Sequence, residues 1–420
     1  MKRVAIAGSG TRALDYAEGL LHRVSEYSQL VALYDKNPQR IKGFKFLVKD
    51  DSLPEYTDFD QMVAETHPTH LMVCVPDRYH PDLVELGFSH GLEVITEKPM
   101  AMNREGIERI RRAELKYGKA VTVTFNLRFS PYPAAIRKLL LDKPIGRIHN
   151  VNAEWFMDRT HGQEIFHRWH ARMENSGGLL VHKSTHHFDL LNWFLEDEPE
   201  KVYATASRRV FGDANPFYGE RCSTCPHATT CWAVMKSTLK AVQAPGSDGE
   251  IFEKLFFESE KCDGYLRDRC CFARDIDIYD TMNVMVHYKR GAVVNYLENA
   301  YSPWQGYSIV FNGDNGRIEV GTVFSGTRPA NLDRKDYIRV IHGTTRQNIT
   351  MEEYPFTELL TPHGGGDYAL FDQLFGKGGP DPLHQQADSR AGALSALVGI
   401  TANESIASGR CEPINYPETI

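Results

Sequence analysis

Short apolar runs bounded by polar turns alternate with amphipathic stretches over the first third of the chain. Val4 to Ala7 predicts a buried strand, and Leu14, Ala17, Leu20 and Leu21 follow it at helical spacing. Leu30 to Tyr34, His70 to Val75, Glu93 to Thr96 and Val121 to Phe125 predict further strands, with helices over Asp82 to Gly91 and Arg104 to Lys116. That alternation predicts a parallel, doubly wound α/β sheet over residues 1–125. From about Gly146 the texture changes. Val151 to Trp155, Met282 to Tyr288, Ala292 to Leu297, Ser308 to Phe311 and Arg317 to Val320 alternate apolar and polar positions between Gly and Asn-Gly turns. Residues 126–420 are therefore expected to hold a large, mainly antiparallel open sheet, one face of which is available to a substrate or another subunit. Ala391 to Ser408, rich in Ala, predicts a closing helix before Gly409.

Composition narrows the function classes. The 420 residues are 42% apolar and 25% charged with a formal charge of -7, ordinary values for a globular protein and without the basic surplus of a nucleic-acid or membrane-surface binder. No apolar run reaches the roughly 18 residues of a membrane span. The strand beginning at Val4 leaves no room for a signal segment, so a cytoplasmic protein is expected.

The candidate chemistry sits where strands end. Gly8-Ser9-Gly10-Thr11-Arg12-Ala13 is a G-x-G-x-x-A turn between a strand and a helix, where Gly8 makes the turn and Gly10 lets a pyrophosphate approach the helix N-terminus. Asp35, closing the next strand, is placed to accept from adenosine ribose hydroxyls and to repel a 2′-phosphate, which favours NAD, while nearby Lys36 and Arg40 keep NADP open. The strand Val94 to Thr96 ends in Glu97-Lys98-Pro99, so Lys98 faces the crevice in which such sheets bind ligands. Pro76 and His80 leave another strand on the same edge, as do Asn126 and Arg128, the latter suited to a substrate or phosphate oxygen.

A glycine-entered stretch, Ser176 to Phe194, reads as one helix with His182 and His186 at i, i+4 on a single face, able to share a substrate hydroxyl or a metal. The glutamate that would complete an H-E-x-x-H zinc motif is missing. With the glycine turn, Pro76 and His80, Glu97-Lys98-Pro99, Asn126 with Arg128, and this helix carrying His186 and Asp189, the chain resembles the Gfo/Idh/MocA oxidoreductases from Met1 to about Asn192. The resemblance implies a Rossmann domain, a carbohydrate substrate and a homo-oligomer. It also implies cofactor contacts from Gly8, Gly10, Thr11, Arg12, Asp35, Pro76, His80, Glu97, Lys98 and Asn126, with Lys98, Arg128, His182, Lys183 and His186 around the substrate. In that family an aspartate stands four residues before the histidine; here the position is His182, a departure from the usual proton relay.

The implied chemistry is hydride transfer from a secondary hydroxyl of a sugar, polyol or glycoside. His186 takes the proton, Lys98 stabilises the alkoxide, and His182 orients the substrate or acts as a second base. Two alternatives stand beside it: redox-neutral glycoside cleavage through a transient 3-keto sugar, and a non-catalytic dinucleotide sensor.

Six of the eight cysteines fall between Cys222 and Cys271, inside an insertion spanning about residues 212–275. Cys222, Cys225, Cys231 and Cys270 form a candidate thiolate set for a structural zinc or an iron-sulfur cluster, with buried packing cysteines as the alternative. His363-Gly364-Gly365-Gly366-Asp367 is read as a glycine turn near the cleft or a helix N-terminus capped by Asp367.

Overall fold

The computed structural model describes residues 1–215, 218–238, 247–326, 336–345, 348–355 and 365–418. Six parallel strands, β1 (Lys2–Ala7), β2 (Ser28–Tyr34), β3 (Glu55–Tyr56), β4 (His70–Val73), β5 (Glu93–Thr96) and β6 (Thr122–Val123), lie in the order 3-2-1-4-5-6 with helices between them. The apolar runs become strands because both faces are covered: Val4 to Ala7 are all fully buried.

A second sheet takes in β7 (Ile148–Asp158), β8 (Pro199–Ser207), β9 (Thr281–Tyr288), β10 (Val293–Ser302), β11 (Trp304–Gly313), β12 (Gly316–Gly326), β13 (Tyr337–His342) and β14 (Thr350–Pro355). Its pairings are antiparallel except that of β7 with β10, which run parallel. The far end of the chain returns to both sheets. Strand β15 (Ala387–Asp388) adds antiparallel to β6 in the first sheet, and β16 (Glu412–Pro413) pairs with β8 in the second. Between them runs the helix Ser389–Ser408, buried along most of its length as its Ala-rich sequence predicts.

The stretch expected to be one helix is broken. Leu179–His182 and Thr185–Leu195 are separate helices, with Lys183 and Ser184 between them. Ser184 sends its hydroxyl to the Leu179 carbonyl (3.2 Å) and to Glu298 on β10, competing with the helical ladder as serine does. From the other side the helix Ser389–Ser408 presses on the break, for a Cβ on Gly399 would lie 2.1 Å from the Leu180 carbonyl oxygen. His182 and His186 are therefore not stacked on one helical face.

Candidate active site

The glycine turn closes as the sequence demands. Gly8 holds φ +100°, and a Cβ there would meet the Cys74 carbonyl oxygen at 2.5 Å. A Cβ on Gly10 would meet nothing within 4 Å, so the space over the N-terminus of the helix Thr11–Glu18 is open to a pyrophosphate. Asp35 folds back onto this turn: Oδ2 accepts from the Ser9 N–H (2.9 Å) and Oγ–H (2.6 Å), and Oδ1 from the Asn37 N–H (2.8 Å).

Lys98 leaves β5 and crosses to the broken helix, where its Nζ donates to the His182 carbonyl oxygen at 3.1 Å. In an unbroken helix that carbonyl would belong to the His186 N–H, which instead bonds the Lys183 carbonyl (3.2 Å). The break thus creates the seat for the ammonium. His182 turns its Nδ1 to Asp77 Oδ2 at 2.6 Å, while its ring lies against His170 (centroids 4.1 Å apart) and Trp169 (5.6 Å). His186 is buried against the edge of Phe125 at 5.9 Å.

Electrostatics follow from this burial. Asp77 is pushed up from 3.8 to about 7 by desolvation, against the pull of His80 and Lys98. Burial, then Lys98 and Lys183, hold His182 well below an ordinary imidazole. Lys98 is lowered by burial despite Asp77 and Glu97. Lys183 is lowered to about 8 by burial and Lys98, its Nζ lying 3.5 Å from His161 Nε2. Glu298, below Ser184, is raised to about 7 by burial. A neutral imidazole on a carboxylate beside a lysine is an arrangement for moving one proton while stabilising a developing oxyanion.

Comparison with known proteins agrees with this fold. Residues 2–125 match the NAD-binding Rossmann fold of the Gfo/Idh/MocA oxidoreductases, and residues 137–415 match their C-terminal alpha/beta domain. The chain belongs to the Gfo/Idh/MocA family. Among Gfo/Idh/MocA relatives, YteT of Bacillus subtilis (strain 168), named as an oxidoreductase with no substrate given, is 32% identical over 100% of this chain and 98% of its own length. Inositol 2-dehydrogenase of Rubrobacter xylanophilus is 24% identical over 48% of this chain and 54% of that protein. A levoglucosan dehydrogenase solved with NADH and levoglucosan superposes with a TM-score of 0.66 at 16% identity, covering 99% of this chain and 100% of that one.

Several residues that the Gfo/Idh/MocA pattern marks as contacts are braces in this structure. Arg128 is not free for a substrate: Nε and Nη2 clasp Asp189 at 2.7 and 2.6 Å, and Nη1 donates to the His384 carbonyl at 3.1 Å, so its fork is consumed inside the protein. His80 is fully buried, with ring nitrogens 2.7 Å from the Pro99 carbonyl and 3.0 Å from the Val75 carbonyl. It ties the loops after β4 and β5 and reaches a ligand only through them, and Pro76 leads into the turn that carries Asp77.

Arg12 and Glu97 lie beneath the glycine turn. Arg12 donates to Glu97 (2.7 Å) and to Asp367 (2.8 Å), and Tyr16 adds a hydroxyl to Glu97 (2.9 Å). Burial alone would raise the Glu97 carboxyl, but Arg12 and Lys98 outweigh it and hold it below its ordinary value. Asn126 also donates to Asp367 at 2.8 Å, while its buried Oδ1 finds no partner among the described residues, leaving an acceptor on the carboxyl edge for a cofactor donor. Asp367 is not the helix cap. The cap of Gly366–Leu374 is Gly365 at φ +85°; His363 and Gly364 fall outside the described residues.

The metal expectation finds no support among the described residues. Cys222, Cys225, Cys231 and Cys270 do converge on one small cavity, with Cys271 and His167. Among the described residues, however, no three His, Cys, Asp or Glu side chains are placed to hold a metal ion. Burial pushes the Cys222 thiol up to about 12 and raises that of Cys270, and both nitrogens of His167 face main-chain carbonyls.

Asp77 is the residue that sequence reasoning missed. It stands between Pro76 and His80 and is 3% exposed. Its signal was indirect: a family aspartate absent at 182 leaves a histidine in need of a carboxylate from elsewhere.

Proposed function

We propose that this protein interconverts a secondary alcohol and a ketone on a sugar or polyol, with Lys98, His182 and Asp77 carrying the proton chemistry. The observation that carries the reading is the 2.6 Å bond between Asp77 and His182 on the residue whose carbonyl receives Lys98. Gly8, Gly10 and Thr11 admit the nucleotide, with Arg12 and Glu97 shaping the turn from beneath; Asn126 offers its Oδ1, which has no partner among the described residues. When bound, the nicotinamide supplies the hydride acceptor or donor.

With Nδ1 engaged by Asp77, the Nε2 edge of neutral His182 takes the hydroxyl proton, and Asp77 stabilises the imidazolium that results. Lys98 holds the oxygen as its charge develops. His186, away from this bond, shapes the pocket from the Phe125 side and is a substrate contact in place of the principal base. Lys183 and His161, 3.5 Å apart and only partly buried, lie on the side nearer the second sheet and suit a substrate rich in hydroxyls.

Among the described residues no helix is long and apolar enough to cross a membrane. The outer face of the second sheet, where Tyr203 and Met285 sit opposite each other and are exposed, supports pairing of like chains, which sedimentation would test.

The test is turnover. Purified protein with NAD and a panel of polyols, hexoses and glycosides should accumulate reduced nicotinamide with a subset of them. Release of free aglycone without net reduced nicotinamide would replace the dehydrogenase reading with redox-neutral cleavage. Nucleotide binding without either product would leave a sensor.

A further inference from the structure

The cysteine-rich insertion does not stay with its own sheet. Its helix Asp248–Leu255 and the segment to Asp263 dock on the helix Pro38–Val48 that follows β2, so closely that a Cβ on Gly43 would lie 2.2 Å from the Lys254 carbonyl oxygen. That helix begins just after Asp35, at the edge that receives the adenosine ribose in this fold.

The docking consumes the donors that this edge would otherwise offer. Arg40 Nε donates to the Leu255 carbonyl (3.1 Å), and its Nη2 is 2.5 Å from Asp263 Oδ2. Asn37 Nδ2 donates to the same Asp263 oxygen (2.8 Å) and to the Ser259 carbonyl (3.1 Å), while its Oδ1 caps the helix through the Gln39 and Arg40 N–H groups. Gln39 turns to Glu258 at 3.2 Å. Without the insertion, Lys36 and Arg40 would set two cations beside the single carboxylate of Asp35, a balance that tolerates a phosphate dianion. With it, Asp263 cancels Arg40.

Resting on the reading of this edge as the dinucleotide site, we propose that Asp263 is a specificity-determining residue of the insertion. By binding Arg40 and Asn37 it withholds them from a ribose 2′-phosphate and makes the protein select NAD(H) over NADP(H). Asp263 touches no cofactor in this scheme. It acts through Arg40 and is a positioning residue.

Fluorescence titration of the full chain with NADH and with NADPH tests this without any substrate. Asp263→Asn releases Arg40 and should tighten NADPH relative to NADH on the order of tenfold, the scale of one arginine–phosphate contact. Adding Arg40→Ala to Asp263→Asn should abolish that gain, whereas Arg40→Ala alone should leave the ratio within about twofold of the parent, since Arg40 is already withheld. Melting curves report whether each variant is folded, and a general loosening of the insertion would weaken both nucleotides without shifting their ratio. An unchanged ratio in folded Asp263→Asn, or a selective loss of NADPH in Arg40→Ala, overturns the proposal. Failure of the parent to bind either nucleotide overturns the cofactor reading along with it.

Discussion

Asp77 and His182, 105 positions apart in the chain, are joined by a 2.6 Å hydrogen bond between Oδ2 and Nδ1. The bond links the turn after β4 to the break between two helices, and it puts a carboxylate behind the imidazole where the family's own aspartate is absent.

Because burial raises Asp77 to about 7, alcohol oxidation should climb with pH through that value as the carboxylate ionises and the pair becomes able to accept a proton. Asp77→Asn is expected to lower kcat by about 100-fold and to erase this limb of the profile. A full-height profile in the variant would remove Asp77 from the proton path.

Lys98 and the two helix histidines should separate by kinetics. Lys98→Met is expected to reduce kcat by about 100- to 1000-fold with nucleotide affinity retained, the scale of losing one oxyanion donor. His182→Ala should cost more in kcat than His186→Ala, which should act chiefly on KM. The reverse order would return the base to His186.

Arg128 and Asp189 form a doubly bonded ion pair, with side chains 7% and 1% exposed. Asp189→Asn strands a buried guanidinium and should destabilise the fold by about 3–5 kcal/mol in urea unfolding. Were Arg128 a substrate ligand instead, Arg128→Lys would raise KM at near-normal stability.

Acid sensitivity of the fold should come from buried imidazoles. His161, His170, His182 and His187 are held well below 6.5, first by burial and then by neighbouring cationic or imidazole groups. The folded chain therefore binds fewer protons than the unfolded one, so their stabilisation is complete above 6.5 and is lost as pH falls toward the depressed values. Glu298 and Asp77, both raised to about 7, work in the opposite sense, favouring the fold as pH drops. Melting temperature should thus decline on acidification below about 6.5, and more steeply in Glu298→Gln. A flat melting temperature across that range in both the parent and Glu298→Gln would overturn the assignment of these histidines as neutral in the fold.

Much of the architecture could be read in advance. The apolar runs from Val4 to Phe125 and the alternating segments after Gly146 correspond to strands of two sheets, since a buried strand and a half-buried one leave different periodic marks. Strands β8, β13 and β14 escaped notice because charges such as Lys201, Arg339 and Glu353 crowd their outer positions and blur the alternation. Strand β15 is two residues long and is defined by its partner β6 alone.

By itself the sequence determined the glycine turn, the lysine at a strand end and the family, because each is a local pattern whose chemistry sits within a few residues. Tertiary structure alone decided which groups meet: that Ser184, held by Glu298 and pressed through Gly399, breaks a helix and frees a carbonyl for Lys98; that Asp77 reaches His182; that Arg128 spends its fork on Asp189; and that an insertion more than 200 residues downstream covers Arg40. Helical periodicity fixes neighbours three and four positions apart, while contacts across 100 residues depend on how elements pack, and no short stretch of chain records that.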